Sequence, residues 1–240
     1  MVSLGVANFF LVVCVVMVVW ERRLTFGSPY DSPITIGTVL FGAGVGLTSP
    51  WPVAAGVPFP FTGKYFVLIV IGQFSFLAAT AFGIKAVYLR LLPDEAVDPF
   101  MRRRIAPLIA IASVALVICF VGSSLTLSGP VDGPSFATLD GWLAVSWLVY
   151  FGFLAMLGLI LSYGVARLRR DPRSVMLRIL LLSLLLASLS AVVIAYTLVS
   201  SGHVRTWTAV WMINYAAFFG TAIAFSMQWR RRVRALLPRR

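Results

Sequence analysis

Arg167-Leu168-Arg169-Arg170-Asp171-Pro172-Arg173-Ser174-Val175-Met176-Leu177-Arg178 is the stretch from which the layout of this chain is read. It holds five arginines and one acid. On either side lie apolar segments, Gly141 to Ala166 and Ile179 to Gly202, that carry no ionised side chain. Two segments of spanning length joined by a short basic loop read as a pair of membrane helices that turn round on the cytoplasmic side. Lys and Arg accumulate in loops that are not translocated, so placing this loop inside sets the side of every other loop.

The surrounding composition demands the same solvent. The chain has 240 residues, 60% of them hydrophobic and 12% charged, with a mean hydropathy of +0.95. A soluble domain carries about 25% charged residues, so half the usual polar surface is missing. A formal charge of +12 at pH 7 raises the question of nucleic acid. That partner is not expected, because the charge lies in short loops and a tail that membrane topology already explains.

Working outward, Met1 to Trp20 is an apolar run followed by Glu21, Arg22 and Arg23. A cleaved signal peptide would carry its positive charge before the apolar core, so this reads as a retained first helix with its N-terminus outside. Ile34 to Thr48 is the core of a second span, broken by Ser49-Pro50-Trp51-Pro52. Within it Gly42 and Gly46 form a G-x-x-x-G pair that lets a second helix approach closely. The three glycines Gly42, Gly44 and Gly46 also fit the general glycine enrichment of membrane helices, and that is the reading preferred here. Gly56 to Gly63 follows as an external loop.

Tyr65 to Ile84 is the third span, with Lys85 snorkelling to the headgroups at its inner end. Pro93 to Arg104 reads as a cytoplasmic loop, acidic at Asp94, Glu95 and Asp98 and basic at Arg102, Arg103 and Arg104. Ile105 to Leu127 is the fourth span and Ser128 to Asp140 an outer loop without a basic residue. The fifth and sixth spans flank the opening loop. Ser201 to Arg205 turns outside, Thr206 to Trp229 is the seventh span, and Arg230 to Arg240 is a tail with six arginines.

This layout leaves eighteen basic residues inside against two, Lys64 and Arg205, outside. Trp51, Trp142 and Trp207 mark the outer interface; Trp20, Tyr163 and Trp229 mark the inner one. The expected fold is all-α: a polytopic bundle of seven transmembrane helices, N-terminus outside and C-terminus inside. Residues 1–229 form the membrane domain and 230–240 a basic cytoplasmic tail. The expected location is a bacterial inner membrane.

The same spans exclude several chemistries. None contains Asp, Glu or His, the side chains on which proton relays and ion-coupled pumps usually rely. A retinal protein needs a lysine in its last helix, and Thr206 to Trp229 has none. His203, the single histidine, sits in an outer turn, and neither H-E-x-x-H nor G-x-S-x-G occurs. Cys14 and Cys119 fall inside apolar runs as plain buried residues. No enzyme, metal or cofactor is expected.

Two sets of residues remain as candidate sites. Asn8, Gln73 and Asn214 are the only carboxamides in the span cores, on the first, third and seventh helices. Each lies seven or eight residues from its helix start, about 11–12 Å deep. They line a shallow outward pocket, with Tyr150, Tyr196 and Tyr215 as further contributors, or they bond across helices as glue; the second reading is preferred. Arg230, Arg231, Arg232 and Arg234 follow a span directly, as a juxtamembrane patch for anionic lipid does, although orientation signalling explains the same residues.

Arginine outnumbers lysine 18 to 2, a mark of GC-rich genomes. The basic loop after Trp20, the Arg-rich loop Arg167 to Arg173 and the helix entry Leu177-Arg178-Ile179-Leu180-Leu181-Leu182 resemble a family of actinobacterial multi-pass membrane proteins described as transporters. Members of that family typically continue into a cytoplasmic domain, whereas this chain stops at Arg240. The resemblance supplies no site residues. Two functional readings follow. One is a regulatory or interaction protein whose basic inner face meets anionic lipid or a cytoplasmic protein. The other is a small-molecule transporter or receptor with an outward polar pocket. No internal repeat of the kind common in transporters is visible.

Overall fold

The computed structural model describes residues 2–23, 27–29, 31–48, 65–122, 141–168, 189, 193 and 207–236. Among them the chain is helical with no strand: α1 (Val2–Arg22), α2 (Ser32–Thr48), α3 (Tyr65–Tyr88), α4 (Asp94–Phe100), a π-helical turn (Met101–Ile105), α5 (Ala106–Gly122), α6 (Gly141–Leu168) and α7 (Trp207–Leu236). In lipid no water is present to bond a bare N–H or C=O, so a run this apolar closes its hydrogen bonds within one helix. The hydroxyls obey the same constraint. Thr38 donates to the Ile34 carbonyl at 2.8 Å, Thr48 to Gly44 at 2.6 Å, Thr80 to Phe76 at 2.9 Å and Thr221 to Ala217 at 2.8 Å. Each polar group is thereby satisfied four residues back on its own helix.

Three described helices are long and apolar enough to cross a membrane: Val67–Tyr88, Asp94–Gly122 and Val145–Leu168. They suggest a membrane protein. Ser32–Thr48 and Met212–Ala224 are shorter apolar helices. At 17 residues α2 spans about 26 Å, a little under the bilayer core. Its last described residue is Thr48; Ser49-Pro50-Trp51-Pro52, expected to break it, lie outside the described residues. The outer loops at 56–63 and 128–140, the sixth span at 179–200 apart from Leu189 and Val193, the turn at 201–205 and residues 169–178 of the opening loop lie outside the described residues.

Two expectations are overturned. The stretch from Pro93 to Arg104 is not a loop. It folds as α4 and the π turn, continuous with α5 over 29 residues. The starting signals are Pro93 at the N-cap and Asp94 and Glu95 in the first turn, where carboxylates complement the helix dipole. Pro99 lies inside α4 and Pro107 follows the π turn, so neither the Glu95 nor the Arg103 carbonyl receives its usual donor. The ladder widens between them, with the Ala106 N–H reaching the Met101 carbonyl.

The second correction concerns the glycines of α2. A Cβ on Gly42 would collide with Val15 of α1 and sit 3.1 Å from the Phe218 ring of α7. One on Gly44 would meet the Phe76 ring of α3 at 2.8 Å. These glycines are contact points for three other helices, not a compositional background. Without a strong hydrophobic force between helices in lipid, such close packing is what holds a bundle together.

The contacts also give relative direction. Against α2, Gly42 faces Val15 and Gly46 faces Leu11, so α1 and α2 are antiparallel. Gly37 faces Phe82 and Gly72 faces Thr48, making α2 and α3 antiparallel too. Phe76 lies 6.2 Å from Tyr150 while Gly164 packs on Val87, so α3 and α6 run parallel. Gly122 meets Trp142, where the end of α5 adjoins the start of α6. Finally Asn8 bonds Tyr215 and Glu21 bonds Arg230, so α1 and α7 are parallel. The core between them is aromatic: Phe218–Phe41 at 5.7 Å, Phe41–Phe76 at 5.5 Å, and Trp147 stacked on Phe151 at 5.3 Å.

Candidate functional site

These directions bring the C-terminal ends of α1, α3, α6 and α7 and the start of α2 to one end of the bundle. Its chemistry begins with Asp31, the residue before α2. There the carboxylate faces the positive end of a helix dipole, and the Asp31 carbonyl receives the Thr35 N–H at 3.1 Å. Two cations converge on it. Arg22 at the end of α1 reaches its Oδ1 at 3.5 Å, and Arg90, just beyond α3, reaches the same atom at 4.0 Å. Only 4% of the Arg22 side chain and 12% of the Asp31 side chain is exposed. The Arg22 guanidinium lies 6.0 Å from the Trp229 ring of α7, and Arg90 also donates to the Ala86 carbonyl at 2.7 Å. Three helices are joined by one buried carboxylate.

Two further pairs ring this cluster. Lys85 of α3 reaches Asp98 of α4 at 3.1 Å, while Tyr88 stacks on Phe100 at 4.4 Å. Lys85 therefore stays out of the bundle interior, as expected, but its head is bound to a carboxylate. Arg230 clasps Glu21 through Nη2 at 2.5 Å and Nε at 3.1 Å. Of the four arginines considered as a lipid patch, Arg230 is thus tied to α1. Arg231, Arg232 and Arg234 belong to the last turns of α7, and their side chains lie outside the described residues.

The three carboxamides occupy the other half of the bundle. Asn8, Gln73 and Asn214 are all buried, at the seventh, ninth and eighth residues of α1, α3 and α7. Asn8 accepts a 2.6 Å hydrogen bond from the Tyr215 hydroxyl, which links α1 to α7. A Cβ on Gly46 would lie 3.8 Å from Asn8 Oδ1, and Gly72, next to Gln73, packs on Thr48. The band therefore runs across α7, α1, α2 and α3 at one level. Tyr150 and Tyr215 are buried beside it; Tyr196 and His203 lie outside the described residues.

The sequence reading missed Asp31, Arg22, Arg90 and Glu21 as a connected group. One signal was available: an acid directly before Ser32-Pro33 and an apolar run is a helix-start pattern, and Arg22, a cation two residues past α1's last apolar residue, needs a partner. Comparison with protein-family models, with curated proteins and with solved structures finds no match for this chain.

Proposed function

We propose that the chain is a seven-helix integral membrane protein, N-terminus outside and C-terminus inside, that works as a regulatory or interaction protein through its arginine-rich inner face. The observation that carries this reading is the gathering of Arg22, Arg90, Lys85 and Arg230 at one end of the bundle. Helix parity supports the seven-span layout. Parallel α1 and α7, if both cross, require an odd number of crossings between them. The segments α2, α3, α4–α5 and α6 supply four, so a further crossing falls between α6 and α7, where Leu189 and Val193 are helical and exposed. Arginine at a cytoplasmic headgroup plane attracts anionic lipid, by about 1 kcal/mol per residue. Anionic lipid is accordingly the first expected partner, and an acidic cytoplasmic protein segment the second.

Two measurements test the proposal. Reporter fusions after Arg173 and Arg240 are expected to give cytoplasmic signals, and fusions after Gly133 and Gly202 external ones. An external signal at Arg240 breaks the layout. The purified full chain is then expected to bind phosphatidylglycerol in preference to phosphatidylcholine. Equal binding of the two would reduce the basic face to an orientation signal. The transporter or receptor reading ranks second, because Asn8 is engaged by Tyr215 within the bundle.

A further inference from the structure

The arginines at the basic end differ in what holds them. Arg22 and Arg90 are drawn onto Asp31, Lys85 onto Asp98 and Arg230 onto Glu21. Arg102, Arg103 and Arg104 are all exposed and enter none of the ion pairs among the described residues. They follow one another on the π turn Met101–Ile105, and all three are exposed. On the same helix Asp98, the nearest acid, is engaged by Lys85, and Asp94 and Glu95 lie about two turns from the triplet, roughly 12 Å along the axis, beyond the screening length at physiological salt.

Below the triplet the helix changes character. Ala106, Pro107, Ala110, Ile111, Val114, Val117, Ile118 and Val121 are exposed, while Ile105, Ala112, Leu116 and Cys119 point into the bundle. The exposed positions recur at three and four residues, a single stripe down α5. Of the three long apolar helices this one is the least covered: 22% of its apolar window is buried, against 39% and 44% for the others. An uncovered apolar stripe headed by three cations is complementary to one class of molecule, an acyl chain ending in an anionic headgroup.

We infer that the face formed by Arg102–Arg104 and the exposed stripe of α5 is a binding site for an anionic phospholipid, whose phosphate is held by the arginines and whose chain lies along Ile111, Val114, Ile118 and Val121. This deepens the proposed function and rests on it, since it needs the basic end at a headgroup plane. It also moves the principal lipid contact from the α7 tail, where Arg230 is committed to Glu21, to the π turn. The π turn is then what the two prolines provide: a local widening at which three consecutive arginines are all exposed.

Native mass spectrometry of the full chain in detergent, titrated with phosphatidylglycerol, phosphatidylcholine or inorganic phosphate, tests the assignment. The wild type is expected to retain phosphatidylglycerol preferentially. Replacing Arg102, Arg103 and Arg104 together with Gln is expected to weaken that affinity on the order of 100-fold, about fivefold for each arginine. The Lys triple variant keeps the charge and is expected to retain most of the affinity; helical content by circular dichroism confirms that all variants are folded. Replacing Arg230, Arg231, Arg232 and Arg234 with Gln should weaken binding less than the π-turn triplet does. The reverse ranking overturns the site while leaving the basic-face reading intact. No phosphatidylglycerol preference in the wild type overturns both. Equal retention of inorganic phosphate, or a dimer mass in place of lipid adducts, assigns the arginines or the stripe to a different occupant and likewise overturns the inference.

Discussion

The two halves of this bundle solve the same problem with different groups. At one end α1, α2 and α3 are joined by charges, Arg22 and Arg90 on Asp31. At the other, α1 and α7 are joined by neutral groups, the Tyr215 hydroxyl on Asn8. A charge deep in hydrocarbon is costly, whereas near the headgroups water and phosphate moderate the cost. A carboxamide carries no charge and is tolerated deeper, provided that its hydrogen bonds are made. The two joints are therefore unequal: a buried ion pair is expensive to break, a neutral interhelical bond is not.

The largest effect is expected at Asp31. Asp31→Asn removes the charge that Arg22 and Arg90 share while Arg22 stays 4% exposed. A cation left without its carboxylate in such a place costs about 3–5 kcal/mol. The folded fraction in mild detergent, followed by denaturant titration of helical signal, is expected to fall accordingly. A loss below about 1 kcal/mol would show that water or headgroups reach Arg22 and that the charged joint is no stronger than a surface pair.

Next in size is Gly42, which serves both ends because α1 and α7 meet over it. Gly42→Val adds bulk where a Cβ already overlaps Val15 and sits 3.1 Å from Phe218. Overpacking of this kind costs about 1–3 kcal/mol. Because α1 and α7 separate, the variant is expected to weaken both Asn8–Tyr215 and Glu21–Arg230, which a lowered midpoint together with altered tryptophan emission would register. An unchanged midpoint would return these glycines to the compositional reading.

How far these features could be read beforehand differs by kind. Apolar runs were legible, because lipid permits few solutions for a backbone. The carboxamides were legible as a set, since three amides in otherwise apolar spans stand out and their depth follows from helical rise. The π turn was not, because a run of Asp, Glu and Arg reads as a solvated loop, and only the spacing of Pro99 and Pro107 on a continued helix explains it. The Arg22–Asp31–Arg90 joint was not, because its members are 9 residues apart at the closest and meet only when α1, α2 and α3 pack. The glycines of α2 carried the right motif, but which neighbour each admits is a property of packing.

The smallest expected effects separate the two joints most finely. Asn8→Leu is expected to cost about 0.6 kcal/mol, the average for an interhelical hydrogen bond in a membrane bundle, and Gln73→Leu and Asn214→Leu a similar amount each if they too act between helices. Cysteine at each of these positions, in a background without Cys14 and Cys119, is expected to resist an impermeant thiol reagent added from outside. Labelling at all three, blocked by a solute, would replace the joint with an outward pocket.

The Glu21–Arg230 clasp is expected to contribute less than either joint, although it has the shortest contact of the ion pairs among the described residues. The Arg230 side chain is 60% exposed and Glu21 20%, so water competes for both and two long side chains must be held in one geometry. A double-mutant cycle with Glu21→Gln and Arg230→Gln isolates the pair from its surroundings. The coupling is expected to lie near the low end of about 0.2–1 kcal/mol and to fall further as salt rises. The corresponding cycle at the neutral joint, Asn8→Leu with Tyr215→Phe, is expected to be insensitive to salt. If the Glu21–Arg230 coupling instead exceeds that of Asn8–Tyr215 and survives high salt, Arg230 is desolvated by the bilayer. The clasp would then belong with Asp31 among the charged joints, not at the solvated rim.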